Sequence, residues 1–301
     1  MYRTGKSYLL NRMLLNRQSG FGVGPTINPC TKGMWVWGRP ISGMTPEGES
    51  IKVLVMDTEG LGALDEDSNH DVRIFSLAVL LSSYFIYNSV GSIDESALSN
   101  LSLVVNLTKN IHVKSGSKSD EIDTEEYANH FPSFMWVVRD FTLQLVDQEG
   151  EPISSRDYFE TALALSKGFS DQVEQKNRIR RLLKSFFKDR DCQTMIRPLT
   201  NEDNLQCLEE MPLEDLRADF VEQVMGLRRK VLNRIKPKQL NGKNLTGSML
   251  ATLAENYTKA INGGAVPNIE SAWTYICQTE SQKGFDMALE KFEEYIGTRG
   301  F

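Results

Sequence analysis

Gly5, Lys6 and Ser7 stand directly before YLLNRMLLNR, a run whose leucines and Met13 recur at helical spacing. A Gly-Lys-Ser turn opening a helix is the second half of a phosphate-binding loop. Such a loop aims consecutive backbone N–H groups at an anion and adds a lysine ammonium. The full pattern is G-x-x-x-x-G-K-[ST] after a strand. Counting back from Gly5, the first glycine would fall before Met1. We therefore expect a sheet whose first strand is missing from this chain, leaving neighbouring strands short of ladder partners. On that ground the chain is expected to be poorly stable and less active than a form extended upstream.

Two further segments belong with such a loop. IKVLVMDTEGLG reads as an apolar strand ending in Asp57, followed by Thr58, Glu59 and Gly60. A carboxylate at the end of such a strand supports Mg2+ in phosphate-loop enzymes, and the following glycine offers a backbone N–H to a γ-phosphate. Thr31 lies in the loop NPCTKG between the first helix and MWVW. GTPases place a threonine there to hold Mg2+ and the γ-phosphate. Base choice comes from elsewhere. No Asn-Lys-x-Asp sequence is present, but the strand MWVV ends in Arg139 and Asp140. A carboxylate accepts from the ring N–H and amino group of guanine, whereas adenine presents the opposite pattern.

The rest of the chain alternates strand and helix patterns. MWVWGRP and IKVLVMD read as strands, separated by the turn-rich ISGMTPEGES. Residues 70–81 read as helix, 82–87 as strand, and 94–111 as helix with Asp94 as N-cap. KSGSKSDEIDTEE reads as a polar linker. SFMWVV is a strand, 155–166 a helix, 167–191 a basic stretch, QTMIRP a strand, and 212–235 and 244 onward helical. This order implies an α/β fold: a mainly parallel sheet with helices on both faces, followed by the start of an all-α region. The boundary is set at 1–238 and 239–301. Phe285, Leu289, Phe292 and Ile296 form one apolar helical face that needs a partner.

Taken in order, YRTGKS, TKGMWVW, DTEGLG, AVLLSSYFIYNSVGSI, VVRDF and KAINGGAVPNIESAW resemble the guanylate-binding protein family. These are large GTPases of the dynamin superfamily, related to atlastins. The resemblance implies GTP binding and Mg2+-dependent hydrolysis, coupled to a nucleotide-dependent homodimer through the GTPase domain. It places Tyr2, Arg3, Thr4, Gly5, Lys6, Ser7 and Tyr8 around the phosphates. Lys6 would contact the β- and γ-phosphates, and Ser7 and Thr31 would ligate Mg2+ with Asp57 supporting it through water. Glu59 would orient the attacking water, Arg139 and Asp140 would recognise guanine, and Arg3 would be an internal arginine finger. The basic stretch 167–191 would cap the guanine. Pro29 departs from the family, where a serine helps to place the water.

The remaining numbers exclude other classes. Lys and Arg total 34 against 40 Asp and Glu, a net charge of −6, which argues against a nucleic-acid surface. Four scattered cysteines without a CxxC pair fit a reduced, cytoplasmic setting. No secretory leader and no transmembrane segment are expected, so membrane association would be indirect or through regions outside this chain. Two other readings stay open: a catalytically impaired fragment acting as a binding module, and an ATP-dependent phosphoryl-transfer enzyme. Whether GDP is hydrolysed further to GMP is left open.

Overall fold

A computed structural model describes residues 4–24, 30–61, 68–113, 127–201 and 203–299. The chain divides into two compact units. One comprises residues 1–107 and 123–237, the other 108–122 and 238–301. Tyr2, Arg3, Pro29 and the linker 114–126 lie outside the described residues.

The first unit is built on three parallel strands, β5 (Tyr84–Val90), β6 (Ser133–Arg139) and β7 (Arg190–Thr194), in that spatial order. Register runs Tyr84 opposite Ser133 to Val90 opposite Arg139, and Phe134 opposite Arg190 to Val138 opposite Thr194. The central strand β6 is buried from Phe134 to Arg139 rather than alternating, because both its faces are covered. Met135 and Val137 pack with Tyr8, Leu9 and Met13, and with Phe220, Val224 and Leu227 of helix α7 (Ala218–Leu232). Phe134 and Trp136 point the other way. They meet Phe159 of α5 (Ser155–Ala162) at ring-centroid distances of 6.0 and 5.3 Å. Phe134 also meets Phe187, at 4.8 Å, just after α6 (Asp171–Phe186). The Trp136 indole N–H donates to Ser89 Oγ at 2.8 Å, so its one polar atom is not stranded in the core.

Four shorter strands make two antiparallel pairs. β1 (Met34–Val36) pairs with β4 (Met56–Thr58), and β2 (Ile41–Met44) with β3 (Ser50–Val53). The segment ISGMTPEGES is therefore strand, turn and strand start rather than a simple separator. Pro46 to Gly48 supply the turn, and Ile41 and Gly43 face the core through Ile51 and Val53. Among the described residues no strand joins β4 to β5.

Helix boundaries follow local chemistry. α2 (Ser68–Leu81) delivers Phe75 edge-on to Phe85 at 5.4 Å. Asp94 caps α3 (Glu95–Asn100) by accepting from Ala97 N–H at 2.7 Å. The expected 94–111 helix breaks at Leu101 and resumes as α4 (Leu103–Asn110). Ser154 and Asp157 form a reciprocal capping box at α5, which ends at Ala162 rather than 166. The helix after the phosphate loop, α1 (Lys6–Leu10), widens into a π turn at Asn11–Leu15. The Arg228 guanidinium from α7 donates to the Met13 and Leu14 carbonyls at 2.6 and 2.8 Å, taking up acceptors that the turn leaves open.

The second unit holds a small hairpin of β8 (Gln239–Leu240) and β9 (Lys243–Asn244). Asn241 and Gly242 turn it at φ of 47° and 71°. Helices α8 (Gly247–Asn262) and α9 (Ile269–Arg299) follow. Leu253, Tyr257, Ile261, Ile269, Ala272 and Ile276 are buried. Phe285, Leu289, Phe292 and Ile296, near the far end of α9, are exposed.

Candidate nucleotide site

The antiparallel pairing of β1 with β4 assembles the centre of the site. Trp35 lies opposite Asp57, and Glu59 N–H donates to Gly33 O at 2.9 Å. Loop 30–33 is thereby carried alongside residues 57–59, although they are far apart in sequence. Ser7 Oγ donates to Asp57 Oδ2 at 2.5 Å, and Thr31 Oγ1 donates to the same oxygen at 3.2 Å. The two hydroxyls are 3.3 Å apart. Three oxygens from three separate segments thus meet at one point. Asp57 is only 2% exposed, and burial raises its carboxyl above the usual range, opposed by the Ser7 hydrogen bond and the Lys6 charge. A hard cation suits this donor set: a carboxylate and hydroxyls, with no soft ligand. Among the described residues no cluster of three or more His, Cys, Asp or Glu forms another candidate metal centre.

The phosphate loop is held from two sides. Gly5 sits at φ 72°, a left-handed turn that a side chain would strain, and its carbonyl accepts from Leu9 N–H at 3.0 Å. Asn88, buried on β5, donates to the carbonyl and hydroxyl of Thr4 at 2.9 and 2.8 Å. Asn88 was not singled out in the sequence. Its only signal is a polar residue inside the apolar run FIYNSV.

A cleft of about 330 Å3 opens over this loop. Thr4, Gly5, Lys6, Ser7, Tyr8, Thr31, Gly60 and Arg139 line it, together with Gly22, Val23, Gly24, Cys30 and Thr58. Leu205, Gln206, Leu208 and Glu209 complete it, and nothing in their sequence marked them. A Cβ on Gly24 would sit on the Cys30 sulfur, so glycine is what lets Cys30 close that side.

Arg139 and Asp140 take different places. Arg139 is 5% exposed, with its guanidinium 5.6 Å from the Phe220 ring centroid. Its Nη1 lies 3.5 Å from where a Gly5 Cβ would stand. Burial pulls its pKa down, opposed by the Asp140 and Tyr8 charges. Its Nε and Nη1 have no hydrogen-bond partner among the described residues. Open donors on a buried cation beside a phosphate loop are the chemistry of an anion site. Asp140 is not among the lining residues. It sits at φ 55°, a left-handed conformation that aspartate and asparagine adopt more readily than other side-chain-bearing residues, and pairs with Arg197 at 3.7 Å. Glu59 is 8% exposed, and its carboxylate meets His70 Nε2 on α2.

The family sequence model "Guanylate-binding protein, N-terminal domain" matches residues 1–240, and "Guanylate-binding protein, C-terminal domain" matches 241–300. The chain belongs to the guanylate-binding protein family. Among curated relatives, guanylate-binding protein 7 of Mus musculus is 39% identical over 302 residues, 99% of this chain and 46% of its own. Guanylate-binding protein 4 of Homo sapiens is 38% identical over 299 residues, covering 98% and 46%. Guanylate-binding protein 2 of Homo sapiens is 36% identical over 302 residues, covering 99% and 50%. The chain thus spans about half the length of these guanylate-binding proteins.

Proposed function

We propose that this chain binds GTP in the cleft over Gly5, Lys6 and Ser7 and hydrolyses it to GDP with Mg2+. The observation that carries the proposal is the convergence of Ser7 Oγ, Thr31 Oγ1 and Asp57 Oδ2 at one point beside the phosphate loop. Ser7 and Thr31 would hold the cation directly and Asp57 through water. Bound there, Mg2+ supplies charge neutralisation across the β- and γ-phosphates.

The protein's own groups do the rest. Lys6 meets the β- and γ-phosphate oxygens, Gly60 offers its N–H to the γ-phosphate, and Tyr2, Thr4 and Tyr8 shape the loop around them. Thr31 holds the switch loop closed until the γ-phosphate leaves. Glu59 orients a water for in-line attack on the γ-phosphorus, and the bond to the GDP oxygen breaks. Arg139 and Asp140 recognise guanine, Asp140 exchanging its contact with Arg197 for the base. Arg3 swings onto the phosphates when two GTPase domains dimerise. The catalytic unit in this proposal is 1–238, with 239–301 opening a helical domain, in a cytoplasmic setting.

Phosphate release from GTP and from ATP, measured with Mg2+ and with a chelator, tests the proposal. Release from GTP that requires Mg2+ supports it. Release from ATP at the same or a greater rate overturns the guanine assignment.

A further inference from the structure

The wall of the cleft formed by Leu205, Gln206, Leu208 and Glu209 has little to hold it by itself. Asp203–Cys207 is a five-residue 3-10 turn with no buried residue, and isolated turns of this kind are weak. Leu205, Leu208 and Met211 lie half-buried against the core cluster. The backbone that follows is caught by two side chains from near the start of the chain. Arg12 Nη2 donates to the Glu209 carbonyl at 3.3 Å and to the Met211 carbonyl. Gln18 Nε2 donates to the carbonyl between them, that of Glu210, at 2.7 Å. Arg12 is 4% exposed, and its guanidinium carbon stands 5.4 Å from the centre of the Tyr8 ring, which itself lines the cleft.

Arg12 lies on the π turn that continues the helix beginning at Lys6, and Gln18 follows that turn closely. Three consecutive carbonyls, that of Glu209 in the wall and those of Glu210 and Met211 just after it, are therefore fastened to the piece of chain that carries the phosphate loop. A charged donor bridging two carbonyls is a strong, directional tether, and burying it on an aromatic ring keeps water from competing. Loss of Gln18 loosens the wall without touching the phosphate-binding groups, whereas loss of Arg12 also removes its guanidinium from the Tyr8 ring.

We propose that Arg12, assisted by Gln18, is a positioning residue that holds segment 205–209 as a wall of the nucleotide cleft and sets how long a nucleotide stays. This inference rests on the cleft being the guanine-nucleotide site. A wall that must open for release governs dissociation far more than association.

The test uses the full chain with Mg2+ and a fluorescent guanine nucleotide, following association and dissociation for wild type, Arg12→Gln and Gln18→Ala. Arg12→Gln should speed dissociation about 10-fold and Gln18→Ala about 3-fold, with association changed less than about two-fold. Hydrogen exchange across 203–211 should rise in both variants while the Lys6–Leu10 helix stays protected. Unchanged dissociation in both variants, with wild type binding normally, overturns the inference and leaves the nucleotide site standing. If Arg12→Gln unfolds, the exposed Gln18→Ala decides alone: no faster dissociation sinks the proposal. Wild type that binds no guanine nucleotide overturns the site assignment and this inference with it.

Discussion

Two adjacent residues at the end of one strand, Arg139 and Asp140, are placed differently. Strand alternation turns Arg139 inward under Gly5, and the left-handed turn at Asp140 sends its carboxylate to Arg197 instead. The pair was visible in the sequence as neighbours at a strand end; the directions of the two side chains were not, because they depend on one backbone angle. Ser7, Thr31 and Asp57 were expected together from their residue types and order, and the structure brings them within hydrogen-bonding distance. Asn88 and Arg12 were not, since their partners lie 84 and 197 to 199 residues away. We predict that Asp140→Asn weakens GTP binding and improves xanthine-nucleotide binding, because an amide reverses donor and acceptor; equal GTP affinity in a competition titration counts against it. The cysteines offer an independent probe. Cys30, Cys207 and Cys277 are exposed, whereas Cys192 is buried and its thiol is pushed up to about 12. A maleimide should label the first three and spare Cys192. Bound GTP should slow labelling of Cys30, which lines the cleft, and leave Cys277 unchanged. Mass spectrometry of the labelled peptides reads this directly.

At the scale of elements, the strongest sequence patterns survived best. SFMWVV is apolar from Phe134 on and became the central strand, and the helix over 68–81 carries its apolar residues to the sheet. β7 was harder to place. Its residues, Arg190 to Thr194, are mostly polar, so QTMIRP drew the expectation towards the more apolar end. The strand holds because its buried charge is paired. Arg234 on the chain after α7 donates to Asp191 at 2.6 Å and to Asp189 at 2.5 Å, and Ser133 Oγ donates to Asp189 at 2.7 Å. Such long-range pairing cannot be seen in a local pattern. β2 was hidden for a different reason: Gly43 and the nearby Pro46 read as turn, yet the hairpin needs a small residue where Ile235 packs close. We predict that Arg234→Leu lowers stability by on the order of 3 kcal/mol, because it strands the buried Asp191 carboxylate. Urea unfolding measures it. A loss well under about 1 kcal/mol would mean that water replaces the guanidinium there.

For the molecule as a whole, an α/β unit carries the candidate site and a helical unit follows. No described helix is long and apolar enough to cross a membrane. If the first unit is a GTPase domain that dimerises on nucleotide, light scattering should give twice the chain mass with a non-hydrolysable GTP analogue and Mg2+. The mass should stay that of one chain with the ATP analogue, and an unchanged mass with both contradicts the dimer. Everything else rests on the cleft over Gly5, Lys6 and Ser7 holding a guanine nucleotide. The direct measurement is a calorimetric titration of wild type and Lys6→Ala with GTP and ATP analogues in Mg2+. In this account Lys6 supplies the ammonium for the β- and γ-phosphates, so its removal should weaken nucleotide binding most. Saturable binding of the GTP analogue by wild type, none of the ATP analogue, and none of either by Lys6→Ala is the result predicted. Binding of the GTP analogue by Lys6→Ala with the affinity of wild type would contradict it, because the phosphates would then lie elsewhere.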